Sequence, residues 1–149
     1  MESRVTAIDR KNKNVTVESH GKRYTESYDK LLIATGAEPY RAPFPGAALP
    51  GVFTLRSLGD AKAIKSWITE RGVKKAVVIG GGYIGLECAE NLKKRDIDTF
   101  IVEMGNKLMA PFDIDVAARV QRHIENNGVG VQIGCQVRRI DDEGGLAVQ

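Results

Sequence analysis

The run Gly80-Gly81-Gly82-Tyr83-Ile84-Gly85 constrains this chain more than any other feature. Gly80, Gly82 and Gly85 satisfy G-x-G-x-x-G, a pattern that means little without its surroundings. Here the surroundings agree. Residues 75–79, with the apolar run Ala76-Val77-Val78-Ile79, read as a strand, 83–95 as a helix, and 99–103 as a second strand ending in Glu103. In such a βαβ unit the first glycine permits the tight turn. The second lets backbone approach a pyrophosphate with no side chain in the way, and the third lets helix and strand pack closely. The helix N-terminus then presents free N–H groups and a positive dipole end.

Glu103 follows the second glycine of the motif by 103 − 82 = 21 residues, near the separation of about 20 at which an acid meets the adenosine ribose. A carboxylate there accepts hydrogen bonds from the ribose hydroxyls, each worth roughly 1.5–3 kcal/mol, and repels a 2′-phosphate. No arginine stands in Met104-Gly105-Asn106-Lys107 to receive such a phosphate. NADH is therefore expected over NADPH. The alternative, a glycine turn serving packing and an incidental glutamate, leaves this agreement of strand, helix, strand and acid unexplained.

The flanking pattern sets the architecture. Residues 5–8, 15–17 and 23–28 favour strands and are separated by good turn chemistry, predicting a small antiparallel meander. Residues 29–35, Asp-Lys-Leu-Leu-Ile-Ala-Thr, read as a strand buried on both faces of a parallel sheet. Pro39, Pro43, Pro45 and Pro50 exclude regular structure across 37–51 and mark a linker. An amphipathic helix is expected over 57–70, with Leu58, Ala61, Ile64, Trp67 and Ile68 at helical spacing. Another follows Asp113, carries Ala117, Val120 and Ile124 on one stripe, and stops at Asn127-Gly128. Residues 129–149 read as strand pieces around Glu143-Gly144-Gly145. The fold class is thus α/β, a Rossmann-type dinucleotide-binding domain with a parallel sheet, preceded by a β-meander.

Composition excludes other classes. At 149 residues the chain suits one domain with a proper core. Its 42% hydrophobic and 28% charged residues are ordinary for a globular protein. No apolar run approaches the length of a bilayer span, and Met1-Glu2-Ser3-Arg4 does not open a signal peptide, so a cytoplasmic protein without membrane partners is expected. The formal charge of +3 is spread over small clusters such as Lys93-Lys94-Arg95 rather than gathered into a stripe, which argues against a nucleic-acid partner. Cys88 and Cys135 form no C-x-x-C and read as packing thiols; His20 and His123 have no acid or nucleophile at motif spacing and read as surface residues. No catalytic set and no metal-ligand cluster stands out.

With these motifs in place, the chain resembles a known family. Tyr28-Asp29-Lys30-Leu31-Leu32-Ile33-Ala34-Thr35-Gly36, Pro39, Pro45-Gly46 and the loop Gly80–Glu87 are similar to the FAD-dependent pyridine nucleotide-disulfide oxidoreductases. The branch indicated is that of coenzyme A-disulfide reductase, NADH oxidase, NADH peroxidase and persulfide reductase. The resemblance implies that residues 1–45 are the C-terminal portion of an FAD-binding domain plus a crossover linker. Residues 46–149 would be the NADH-binding Rossmann domain, ending before its last strand. It implies hydride delivery from NADH to FAD in a longer parent flavoenzyme, with the chain alone inactive and its FAD site incomplete. Tyr83 would gate the nicotinamide pocket, Ile84 would pack near the nicotinamide, and Glu87 would reach its carboxamide. Beside these roles stand plainer ones: packing for Ile84, and for Glu87 a helix-start acid.

The candidate cofactor-binding residues are therefore Gly80, Gly81, Gly82, Tyr83, Ile84, Gly85, Glu87, Glu103 and Lys107. The expected partners are NADH and the remainder of the parent flavoenzyme. Two alternatives are the NADH domain of an electron-transfer reductase serving rubredoxin, ferredoxin or nitrite reductase, and a non-enzymatic nucleotide-sensing module. Two structural expectations follow as well. Arg95-Asp96-Ile97 replaces the family's usual Arg-Gly turn, so Asp96 is expected in a left-handed conformation or in a different turn. Residues 29–35, lacking a sheet to bury them, are expected to be disordered or covered by a second copy in a homodimer.

Overall fold

The structure is a computed structural model and describes residues 2–142 and 146–148. The chain divides into two compact units, one through Ala37 and one from Glu38. The proline-rich stretch expected to close the first domain at residue 45 thus packs with the second unit, where the Ile140 N–H donates to the Pro45 carbonyl at 2.9 Å.

The first unit is the predicted meander: β1 (Ser3–Asp9), β2 (Asn14–Ser19) and β3 (Lys22–Ser27), antiparallel in that order. Register places Val5, Val17 and Tyr24 side by side, and only Val15 and Val17 of β2 are buried. A three-stranded sheet with one apolar stripe can do little more. The strand expected over 29–35 does not form. The segment has no regular structure, and Leu31, Leu32 and Ile33 are exposed, Leu32 at 87%. An apolar strand gains its stability from neighbours on both sides, and no described strand pairs with it.

In the second unit, α1 (Leu58–Arg71) follows a capping box: the Ser57 side chain accepts from the Asp60 N–H while the Asp60 carboxylate accepts from the Ser57 N–H at 2.7 Å. The bonds from Ser57 and Arg56 hold the Asp60 carboxyl below its ordinary range. None of the helix's residues is buried, so the predicted stripe is only partly used: Trp67 meets Phe53 edge-on at 5.7 Å while Leu58 is exposed.

The expected βαβ core is present. β4 (Lys75–Ile79), α2 (Tyr83–Lys93), β5 (Asp98–Val102), α3 (Ile114–Asn126) and β6 (Gly130–Gln132) follow in order, with the three strands parallel and β5 in the middle. Ala89, Ile101, Leu108, Met109, Ile124 and Val129 form the core, with Val78, Leu86 and Val120 packed against it. Ala117 and Ile124 of the predicted α3 stripe are buried, and Gly128 past its end has φ 78°. Asp113 stands at the N-cap of α3 but its side chain makes no capping bond. The opposite sheet face, with Val77, Ile79 and Phe100, is exposed. β7 (Ile140–Asp142) and β8 (Leu146–Val148) pair antiparallel, two of the strand pieces expected around Glu143-Gly144-Gly145, which itself lies outside the described residues.

Asp96 adopts φ 58°, the left-handed conformation that the α2–β5 turn requires. A side chain there costs about 1–2 kcal/mol, part of which glycine recovers against its greater freedom when unfolded. Asp96→Gly is therefore expected to stabilise the chain by about 0.5–1 kcal/mol in urea unfolding, with unchanged nucleotide binding.

Candidate functional site

The site sits at the C-terminal ends of β4 and β5, where the chain leaves the sheet. The Gly80 N–H donates to the Val102 carbonyl at 2.8 Å, so the glycine loop starts as a continuation of the ladder. Gly80 then turns at φ 108°, a conformation closed to side chains. At Gly85 a Cβ would lie 2.0 Å from the Gly80 carbonyl oxygen, which is the close approach of helix to turn that the third glycine serves. Gly82 is the N-cap of α2, with φ −83° and ψ −174°. A Cβ there would meet nothing within 4 Å. The conformation suits any residue and the space is open, so the protein itself gives no reason for glycine at this position.

The start of α2 is left bare. Gly82 supplies no capping side chain, and the first turn contains no acid. The N–H groups of that turn keep the dipole's positive end, which favours an anion. Glu87 lies beyond the first turn and is exposed, so the plainer reading of it as a helix-start acid does not hold. Ile84 is also exposed and does not pack in this unit's core. Tyr83 is exposed too, with its ring edge-on to Phe112 at 5.8 Å and an interplanar angle of 86°.

Glu103 follows β5 directly and is half-buried. Its Oε2 accepts from the Gly81 N–H at 2.7 Å and its Oε1 from the Gly105 N–H at 2.6 Å. The acid thus stands beside the glycine loop, as its spacing predicted, and is already bonded to backbone on both oxygens. Lys107, expected among the cofactor-binding residues, donates its ammonium to the Phe112 carbonyl and ties the 104–113 loop to itself.

Three residues that the sequence reading passed over complete the site. Leu108 and Met109 are buried, and the Met109 N–H donates to the Gly81 carbonyl at 2.9 Å. A Cβ on Gly81 would fall 2.3 Å from Leu108 Cδ2. Phe112 packs against the core and carries the Tyr83 contact. The apolar run Leu108-Met109-Ala110-Pro111-Phe112 in the loop after the acid was the available signal. Met109 holds φ 51°, a strained conformation for an unbranched side chain that the surrounding packing maintains.

The two thiols are free, and both are half-buried. Burial, with a smaller contribution from the Glu87 carboxylate, pushes the Cys88 thiol up, away from nucleophilic use. Among the described residues no group of His, Cys, Asp or Glu is placed to hold a metal, and no helix is long and apolar enough to cross a membrane.

A dinucleotide fits these features. The open approach at Gly82 and the bare helix end suit a pyrophosphate, and the Glu103 carboxylate lies alongside at the end of the neighbouring strand.

The family model described as pyridine nucleotide-disulphide oxidoreductase matches residues 1–149. The chain is 40% identical to an NADH oxidase of Methanocaldococcus jannaschii over 141 residues, 93% of this chain and 32% of that protein. Among solved structures it superimposes on an NAD-dependent persulfide reductase from A. fulgidus with TM-score 0.79 and 37% identity, covering 98% of this chain and 28% of that one. A water-forming NADH oxidase from Lactobacillus brevis, bound to NADH, gives TM-score 0.79 and 32% identity over 99% of this chain and 33% of that one. A mutant of the same oxidase, engineered as an NADPH oxidase and bound to NADPH, gives TM-score 0.77 at 30% identity. The chain therefore spans about a third of the length of these proteins.

Proposed function

The chain belongs to the pyridine nucleotide-disulphide oxidoreductase family, and we propose that residues 46–149 form the NADH-binding domain of a longer FAD-dependent enzyme of the NADH oxidase or disulfide and persulfide reductase kind. Residues 1–45 are then the end of its FAD-binding domain with the crossover. The observation that carries this reading is the conjunction at the site: a glycine whose vacancy the protein itself does not need, a helix end without its own cap or acid, and a carboxylate at the end of the adjacent strand.

In this reading the N–H groups at the start of α2 hold the pyrophosphate, and the Gly80 turn and the Gly85 contact keep them aimed at it. The Glu103 oxygens retain lone pairs for the adenosine ribose hydroxyls and repel a 2′-phosphate. Tyr83, held edge-on by Phe112, flanks the path toward the nicotinamide, with Ile84 and Glu87 further along the exposed side of α2. Bound NADH supplies a hydride, which the flavin of the longer protein accepts. Lys107, engaged with the Phe112 carbonyl, supports the loop and keeps two further N–H donors for the cofactor.

The engineered NADPH oxidase supports the assignment of Glu103. Its substitutions include a glycine replaced by alanine, an aspartate replaced by alanine 18 residues later, and two introduced arginines. Gly85 and Glu103 are likewise 103 − 85 = 18 apart. The free thiols suit a reducing, cytoplasmic setting, and the exposed Leu31, Leu32 and Ile33 suit coverage by a second copy in a homodimer when the chain is alone.

The test is direct. Wild-type chain is expected to bind NADH at least about tenfold more tightly than NADPH, roughly 1.4 kcal/mol, and Glu103→Ala is expected to lose that preference. Fluorescence titration of both proteins with both nucleotides measures it. Equal wild-type affinities would remove the role given to Glu103.

A further inference from the structure

The peptide groups around Gly81 are held from two sides. Their N–H donates to Glu103 Oε2 at 2.7 Å, and the Gly81 carbonyl accepts from the Met109 N–H at 2.9 Å. The other Glu103 oxygen accepts from the Gly105 N–H at 2.6 Å, at the start of the segment that carries Leu108 and Met109. The carboxylate therefore bridges the two backbone segments that form the walls of the site. Both bonds are short, as charge-assisted bonds are.

We infer that Glu103 is a positioning residue, a two-point strut that sets the orientation of the pyrophosphate-binding turn through Gly81, separately from any contact it makes to ribose. This rests on the nucleotide-binding reading and deepens it. The two roles make opposite forecasts for a neutral isostere. If Glu103 acted on the ribose alone, Glu103→Gln would remove the repulsion of a 2′-phosphate and NADPH would bind more tightly. A glutamine, however, has one acceptor oxygen, and its NH2 would face the second backbone N–H. As a strut it fails at one end, the turn loses its orientation, and both nucleotides suffer because both present the same pyrophosphate.

The experiment uses the 149-residue chain in wild-type and Glu103→Gln forms, with ¹H–¹⁵N spectra of the free protein and titrations with NADH and NADPH. In the free wild type the Gly81 and Gly105 amide protons should lie at low field and exchange slowly. In Glu103→Gln at least one should move upfield and exchange more than about tenfold faster, and NADH and NADPH should both bind at least about tenfold more weakly, a change of roughly 1.4 kcal/mol. Unmoved amides, or tighter NADPH binding in the variant, overturn the strut. Should the variant not fold, the wild-type amides decide alone: ordinary shifts with fast exchange overturn it, and low-field, protected protons uphold it. Absence of binding of either nucleotide to the wild type would instead overturn the nucleotide-binding reading, leaving the amide signatures to judge the strut.

Discussion

Gly81→Ala is expected to destabilise this chain by about 1–3 kcal/mol, the usual cost of overpacking a filled core, and Gly82→Ala to leave its stability within about 0.5 kcal/mol. The two glycines are neighbours in one motif, yet their surroundings are opposite. A methyl on Gly81 points at Leu108, a fully buried side chain 2.3 Å away, whereas one on Gly82 points into open space. The partner can be identified by a double-mutant cycle. Leu108→Ala alone should cost about 2–5 kcal/mol as a core truncation. Combined with Gly81→Ala it should cost clearly less than the sum, because the new methyl occupies room that the lost isobutyl group vacates. Additive costs in urea unfolding would show that Gly81 is constrained by something else. Binding completes the contrast. Gly82→Val should fold normally by circular dichroism and bind neither NADH nor NADPH, since its side chain would fill the pyrophosphate's approach. Unchanged binding there would reduce the loop to a packing device.

A second large effect is expected at 31–33. The chain is expected to self-associate at high concentration, and Leu32→Asp with Ile33→Asp to leave it monomeric while changing unfolding stability by less than about 0.5 kcal/mol. Leu32 and Ile33 are 87% and 66% exposed, so little burial is lost on replacing them. Covering each in a second copy would recover on the order of 1.5–3 kcal/mol per side chain. Multi-angle light scattering across a concentration series reads the result. A wild type that stays strictly monomeric at high concentration would show that these side chains do not drive association.

The same residues mark where sequence reasoning succeeded and where it stopped. The βαβ core was legible because its signals are local. Alternating and continuous apolar runs, the Gly128 stop, the Ser57 start and the glycine pattern each depend on residues a few positions apart. The left-handed Asp96 was one of two outcomes that the resemblance implied, since Asp96 stands where the family's turn has glycine. The spacing of Glu103 from the glycines brought the acid to the loop, because parallel pairing of β4 with β5 places the ends of both strands together. What local signals could not convey was context. Leu31-Leu32-Ile33 have the composition of a buried strand, but a strand exists only where a sheet receives it, and that depends on other residues. The stripe on α1 likewise predicted a packed helix that the tertiary structure leaves largely exposed.

At the site itself the division is finer. Composition and spacing determined that a glycine turn, a bare helix end and an acid would meet. Only the tertiary structure decided which glycine answers to the protein and which is left for a ligand. Leu108 and Met109 reach Gly81 across a loop of irregular backbone, where no periodicity relates one residue to the next. The same packing directs both Glu103 oxygens onto backbone N–H groups. A hydrogen bond requires a distance and an angle as well as a donor and an acceptor, and in an irregular loop those are set by the folded neighbours alone.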